Sequence, residues 1–540
     1  MRASRWLSAA VLMSTMGVLA APAATAGATD LSAFYDQKPQ WAPCELGGPP
    51  TPGLLCATIE VPMDYRHPAG RRIPLAISKL PAKDPAHRQG VLLVNPGGPG
   101  DWGQDLPMTY SDRPIAQDFD MIGFNPRGTG GGSAEVFCEA DPNAVTLPSR
   151  PTDDQFALYT QQARTAEAGC RQDDDGLRPF VNTPNTARDM DVIRGVLGEK
   201  KINYLGVSYG TYLGAVYGSL FPGKLNRSVL DSSINPDWVW RDVWRQQAVA
   251  ARANVDELFT WLGERNSVYG LGKSHDEVHA TSEALAAKLG TAPITDPRFG
   301  TVTQTDYDYF VLGYLSRARG AWDSVGEEMK ALSDAADGKL ALGSPALVDA
   351  GTAVKLMKNG VPGDYATNGT YDTITCEADW PRDLSVYYRD MKDARENYPY
   401  WDGVRKAAPS NCTFRSFTPT DKVTDLKRAG YPTGVVIQAE GDTQTAYPGG
   451  PAMADRLRDS LITVTDDGGH GQYGNNDCVS DLVDRYLVGG VVPATRATCA
   501  GGQRPDVPPD SAGTAHRQAT RQLSLTDSVR QFLAEKQYVS

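Results

Sequence analysis

The sequence predicts an α/β protein, with a mostly parallel sheet covered by helices on both faces and a mainly helical segment inserted into it. Two patterns carry this expectation. Short β-rich, apolar runs recur at Val91–Val94, Met121–Phe124, Ile202–Leu205, Ser228–Leu230 and Val435–Ile437. Between them, a helical period places Ala187, Met190, Ile193 and Val196 or Leu197 on one face of residues 186–197. Strands in alternation with helices imply parallel pairing with both faces covered. The second pattern is a break in this rhythm. From about Pro236 to Lys422 the chain reads mostly as helices and loops, and it holds seven of the ten tryptophans, Trp238, Trp240, Trp244 and Trp322 among them.

The expected order is therefore a first part of the core over 27–235, a helical cap over 236–422, a second part of the core over 423–500 and a tail over 501–540. A separate downstream domain is the alternative; an inserted cap is preferred because the chemically equipped segments lie on both sides of it. The tail is rich in Pro, Gly and Asp to about Gly513, with a weak helical pattern over Leu523–Leu533.

At the start of the chain, Arg2 and Arg5 precede an apolar stretch from Trp6 to about Ala20, and small residues end in Ala24-Thr25-Ala26. This reads as a signal peptide over 1–26, which makes the protein secreted. The stretch is too short and too interrupted for a comfortable membrane span. The length of 540 residues, 41% of them hydrophobic, suffices for one large domain with an insertion. A net charge of −12 without a basic run argues against nucleic-acid binding. All eight cysteines follow the leader, and an even count in an exported chain favours disulfides. Chain proximity alone suggests Cys44–Cys56, Cys138–Cys170, Cys376–Cys412 and Cys478–Cys499. No CxxC spacing suggests zinc, and we expect no metal, no cofactor and a monomer.

The pentapeptide Gly206-Val207-Ser208-Tyr209-Gly210 follows the run Ile202–Leu205 and precedes a helical stretch with small residues at Gly210, Gly214 and Gly218. A serine on such a strand–turn–helix is the nucleophile elbow of the α/β-hydrolase fold. A plain βα turn is the bland alternative, and the flanking context favours the nucleophile. The loop Asn95–Gly100 follows an early strand, so the N–H groups of Gly98 and Tyr209 are the predicted oxyanion hole. The acid and base must follow in the order Ser, Asp/Glu, His. His470 stands in the glycine loop 466–471 after the strand-like Leu461–Val464, whereas His67 lies upstream and His516 lies in the tail. Asp442 lies on the loop beyond Val435–Gln438; Glu440 is its rival, closer to the strand. Ser208, Asp442 and His470 are thus the predicted triad.

Together these segments resemble the secreted bacterial tripeptidyl aminopeptidases, relatives of the proline iminopeptidases. The resemblance rests on Val61–Tyr65, Asn95–Gly100, Gly123–Gly128, Asn182–Gly198, Asn203–Leu213, Asp231–Pro236, Thr375–Pro381, Gly441–Pro448 and Gly469–Gly471. It covers about Trp41 to Cys499 and is weak in the cap. Asn125 departs from the Asp usual in this family, and Asp101-Trp102 departs from the usual Gly-Ser, which bears on subsite preference. The resemblance implies an exopeptidase that takes peptide or protein N-termini and releases short peptides, typically of three residues. Such an enzyme needs an anion for the substrate ammonium, and Glu377 and then Asp379 are the candidates. Rival readings are a peptidase requiring proline before the scissile bond, an esterase or lipase, and a non-catalytic binding protein on the same scaffold.

Overall fold

A ten-stranded sheet organises the computed structural model, which describes residues 30–512 apart from 140, 142, 173 and 361–368, together with 525–527 and 529–530. Residues 1–26, expected to form a leader, and most of Leu523–Leu533 lie outside the described residues. In chain order the strands are β1 (Ala42–Pro43), β2 (Leu55–Pro62), β3 (Arg72–Leu80), β4 (Val91–Asn95), β5 (Asp120–Phe124), β6 (Ile202–Val207), β7 (Leu225–Asp231), β8 (Ile294–Asp296), β9 (Gly300–Val302), β10 (Val435–Ala439), β11 (Ser460–Thr465) and β12 (Arg496–Ala500). The sheet runs β1-β2-β3-β5-β4-β6-β7-β10-β11-β12, and β8 pairs with β9 apart from it. Antiparallel pairing joins β1, β2, β3 and β5; from β5 to β12 every pair is parallel. Every residue of β4, β6 and β10 is buried, because helices cover both faces of the parallel part. This is the architecture of an α/β hydrolase.

After β7 the chain leaves the sheet and returns at β10, which pairs directly with β7 (Val229 opposite Val435, Asp231 opposite Ile437). The excursion holds the helices Arg241–Gly263, His275–Thr291, Trp322–Ala336, Pro345–Gly360 and Leu384–Asn397. It has an apolar core of its own around Leu258, Phe259, Trp261, Leu262, Trp322 and Leu332. Two other parts of the chain join it. The helix Phe156–Gln172 arises between β5 and β6, yet its Phe156 and Tyr159 pack on Met391, Ala394 and Val404. From the tail, Val507, Leu525 and Val529 enter the core of the excursion. Division by chain position misses both, because an amphipathic face does not say which core it covers. Disulfides join Cys44 to Cys56, Cys138 to Cys170, Cys376 to Cys412 and Cys478 to Cys499. Among the described residues no helix is long and apolar enough to cross a membrane.

Three segments far apart in the chain meet at one buried ion pair. Arg127 donates to both oxygens of Asp189 (2.5 and 2.7 Å) and to the carbonyls of Pro62, Met63 and Phe180. The Tyr65 hydroxyl completes the cluster on Asp189 at 2.7 Å. Burying two charges is tolerable here because every neighbour is a hydrogen-bond partner. The cluster fixes the helix Thr183–Val196 against the edge strands, and that helix borders the site described next.

Candidate active site

Ser208 occupies the turn between β6 and the helix Tyr209–Leu220 with φ 58° and ψ −125°, a strained conformation for a residue with a side chain. The turn closes because Gly206 lets the helix approach; a Cβ there would lie 2.4 Å from the Gly210 carbonyl oxygen. The Ser208 N–H donates to the Asp231 carbonyl at 3.0 Å, which ties the turn to the end of β7. Against it packs the loop after β4. A Cβ on Gly97 would lie 2.7 Å from the Val207 carbonyl oxygen and 2.9 Å from the Ser208 Cβ, so only glycine brings this loop so close. Sequence reasoning singled out Gly98 and passed over Gly97, the residue that makes the approach. Ser208 Oγ hydrogen-bonds to none of the described residues, as is common for a nucleophile until substrate aligns it.

His470 is buried, and its Nδ1 lies 2.8 Å from Asp442 Oδ2. Asp442 is fully enclosed. Its Oδ1 accepts the N–H groups of Gln444 (2.8 Å) and Thr445 (3.1 Å), and its Oδ2 also accepts the Thr445 hydroxyl at 2.8 Å. Burial works to raise the Asp442 pKa, but the imidazole beside it and the Thr445 donors prevail and hold the carboxyl below its usual value. Glu440, the rival acid, is exposed and accepts the Asp466 N–H at 2.9 Å, so it caps the histidine loop instead.

Two further residues pin the histidine loop to the nucleophile turn. Asp231 Oδ2 accepts the N–H groups of Gln472 (2.8 Å) and Tyr473 (2.7 Å), and Ser232 Oγ accepts that of Gly471 (2.8 Å). Burial pushes the Asp231 pKa up to about 6 against the pull of those backbone donors. The usable sequence signal was the position of Asp231 at the end of the strand next to β6.

The two candidates for the ammonium contact lie in different surroundings. Glu377 is buried; its Oε2 accepts the Thr183 N–H (2.7 Å), and its Oε1 accepts the Thr183 hydroxyl (2.9 Å) and the Trp240 indole N–H (3.1 Å). It thereby ties two parts of the excursion, at Trp240 and at Glu377 itself, to the start of the helix Thr183–Val196, beside Tyr209, whose hydroxyl also meets Thr183 at 3.0 Å. Burial pushes its pKa up to about 7 against these three donors. Asp379 is fully exposed, 3.8 Å from Arg415. The two carboxylates are not brought together: one is occupied in holding the fold and the other stands in water.

Residues 398–499 match a family described as TAP-like protein, and residues 90–366 match the alpha/beta hydrolase fold family. A tripeptidyl aminopeptidase from Streptomyces lividans is 34% identical over 85% of this chain and 86% of its own. The serine protease Hip1 of Mycobacterium tuberculosis is 26% identical over 86% of this chain and 91% of its own. A carboxylesterase B from the same species is 26% identical over 82% and 86%. Among solved structures, a proline iminopeptidase-related protein from Thermus thermophilus aligns with 85% of this chain and 99% of its own, at 15% identity and a TM-score of 0.32. With a third of its residues shared along most of its length, the chain belongs to the tripeptidyl aminopeptidase family of α/β-hydrolase serine peptidases.

Proposed function

We propose that this protein is a secreted exopeptidase that releases short peptides, typically tripeptides, from free N-termini through an acyl-enzyme. The observation that carries the reading is the His470–Asp442 hydrogen bond on a loop pinned to the end of the strand beside Ser208. In this reading Ser208 attacks the scissile carbonyl and His470 takes its proton. Asp442 orients the imidazole and stabilises its cation, and the N–H groups of Gly98 and Tyr209 receive the oxyanion. His470 then gives the proton to the leaving amine, and water releases the acyl group by the reverse path. The excursion after β7 limits how much chain enters. Glu377 serves as a tether, and neither it nor Asp379 is carried into this reading as the ammonium contact. The four disulfides and the leader over 1–26 support export to an oxidising compartment.

A peptide with a free N-terminus and its acetylated twin test this reading, with products read by mass spectrometry. Loss of the first three residues from the free peptide alone is the expected result. Equal cleavage of both would sink the exopeptidase. Cleavage of neither, with simple esters hydrolysed, would favour an esterase, the activity named for the carboxylesterase B relative. A set with proline or alanine before the scissile bond decides whether proline is required.

A positioning role for Asp231 gives a second expectation. In Asp231→Asn a single amide oxygen can accept both loop N–H groups, so kcat should fall less than about tenfold. In Asp231→Ala two buried donors lose their acceptor, which costs about 1–3 kcal/mol each, and His470 loses its anchor. There kcat should fall at least about a hundredfold. Equal kcat in the two variants would show that these hydrogen bonds do not position His470.

A further inference from the structure

Beside the oxyanion loop lies a cavity of about 300 Å³ whose walls include Gly100, Asp101, Trp102, Thr129 and Glu135. Two acidic residues line it, and neither has an ion-pair partner among the described residues. Asp101 is half-buried, with its carboxyl set deep beside the oxyanion loop, and that carboxyl makes no hydrogen bond or ion pair with any described residue. Burial pushes its pKa up to about 6, against the pull of the His470 imidazole, which places it within electrostatic reach of the triad. It is also in contact with the oxyanion loop: a Cβ on Gly98 would lie 3.1 Å from Asp101 Cγ. Glu135 is exposed, and its carboxyl packs over Gly130, likewise without an ion pair among the described residues. Trp102 lines the same cavity, 58% exposed, with its indole N–H held by the Thr129 carbonyl at 2.9 Å.

The walls are fixed before anything binds. Buried Asn125 accepts the N–H groups of Gly103 (3.0 Å) and Gln104 (3.2 Å) and donates to the Gly131 carbonyl (2.9 Å) and to Gln104 Oε1 (3.0 Å). One amide thus clamps the loop carrying Asp101 and Trp102 to the loop leading to Glu135. A carboxylate in its place could not make the bond to Gly131, since it has no N–H to donate. Preorganised walls spend no binding energy on ordering.

We propose that this cavity is a cation subsite, in which Asp101 and Glu135 pair with an ammonium or guanidinium group of the bound substrate and Trp102 covers its face. The argument is one of charge. A carboxylate set beside an oxyanion hole opposes the negative charge that develops there, unless a cation neutralises it. Apart from the His470 imidazole the described residues supply none, and the cavity borders the oxyanion loop at Gly100, from which side a substrate can supply one. An aromatic face adds cation–π attraction. Two groups share the required chemistry: the free N-terminal ammonium, and the side chain of Arg or Lys near the scissile bond. The inference rests on the proposed use of Ser208 as nucleophile.

The test uses p-nitroanilides of Ala-Ala-Arg and Ala-Ala-citrulline, each with a free and an acetylated amine, and p-nitrophenyl esters of acetyl-arginine and acetyl-citrulline. Citrulline keeps the shape of arginine without its charge. Wild-type protein, Asp101→Asn and Glu135→Gln are compared by ratios of kcat/KM. In the wild type the cationic member of a pair is expected to lead by about 10- to 100-fold, the range of a charge-assisted contact. Asp101→Asn should bring that ratio close to one, and Glu135→Gln should lower it. A collapse of the Arg-to-citrulline ratio assigns the side chain; a collapse of the free-to-acetylated ratio assigns the ammonium. Unchanged ratios in both variants would overturn the proposal. Glu135→Gln, on an exposed residue, keeps the test alive if Asp101→Asn fails to fold. The esters separate the two readings: a changed ester ratio without peptide cleavage keeps the subsite and removes the exopeptidase, and unchanged ratios with tripeptide release do the reverse.

Discussion

Ser208→Ala is expected to lower kcat/KM for peptide and ester alike by about 10⁴- to 10⁶-fold while leaving the fold intact. The loss is large because removal of the nucleophile closes the acyl-enzyme route, and the oxyanion donors can then act only on direct attack by water. The fold survives because Ser208 Oγ bonds to no described residue, and the backbone bonds of the turn stay in place: Ser208 N–H to the Asp231 carbonyl at 3.0 Å and Thr211 N–H to the Ser208 carbonyl at 2.9 Å. Alanine meets the same positive φ as serine, so the strain of the turn is unchanged. Thermal unfolding should therefore stay within about 0.5 kcal/mol of wild type. Active-site titration with a fluorophosphonate gives an independent reading, with labelling of the wild type and none of the variant. Retention of more than a tenth of the activity would remove Ser208 from the mechanism. Loss of labelling together with an undiminished physiological effect would revive the binding-protein alternative.

The parts of this site that chain order encodes were legible, and the parts that depend on what meets in space were not. Strands β4, β6 and β10 are buried throughout, so their apolar runs stand out, and the loops at their ends carry Gly98, Ser208 and Asp442. Strand β12 buries only Cys499 and offers no apolar run to read. Strand β2 alternates from Ala57 to Val61 and is a quieter signal than a continuous run. Glu377 and Asp379 look equivalent two residues apart, but one accepts three buried donors and the other faces water. No local pattern distinguishes them. The cluster of Arg127, Tyr65 and Asp189 was visible only as three matching motifs, because a salt bridge spanning 62 residues leaves no periodic trace. Asp101 and Asn125 were noticed as departures from the family. That Asn125 clamps the loops of the cavity that Asp101 lines follows from the hydrogen bonds of Asn125 and from nothing in the chain order.

Asp442→Asn is expected to cost about ten-thousand-fold in kcat with little change in stability, and the reason lies in which oxygens are taken. Oδ1 accepts two backbone N–H groups, from Gln444 and Thr445, so the amide nitrogen of asparagine cannot occupy that position without opposing both. It must take the place of Oδ2, facing the Thr445 hydroxyl, which can accept, and His470 Nδ1. Donation to Nδ1 fixes the imidazole with its proton on Nε2, the tautomer that cannot receive the proton of Ser208. The hydrogen bonds persist while the base is disabled. The charge that would stabilise the imidazolium is lost as well. Two readouts separate this from a general loss of structure. The melting temperature should move little, and Glu440→Gln, which touches the Asp466 N–H and not the histidine, should stay within a few-fold of wild type. The acid limb gives the third. The folded Asp442 pKa lies below its unfolded value, so this group contributes stability above the usual carboxylate range and loses it as pH falls through the lowered value. Asp442→Asn should therefore lessen acid destabilisation below about pH 4 while remaining inactive at neutral pH. A variant within tenfold of wild-type kcat would show that His470 does not need this partner, and the assignment of the triad acid would fall.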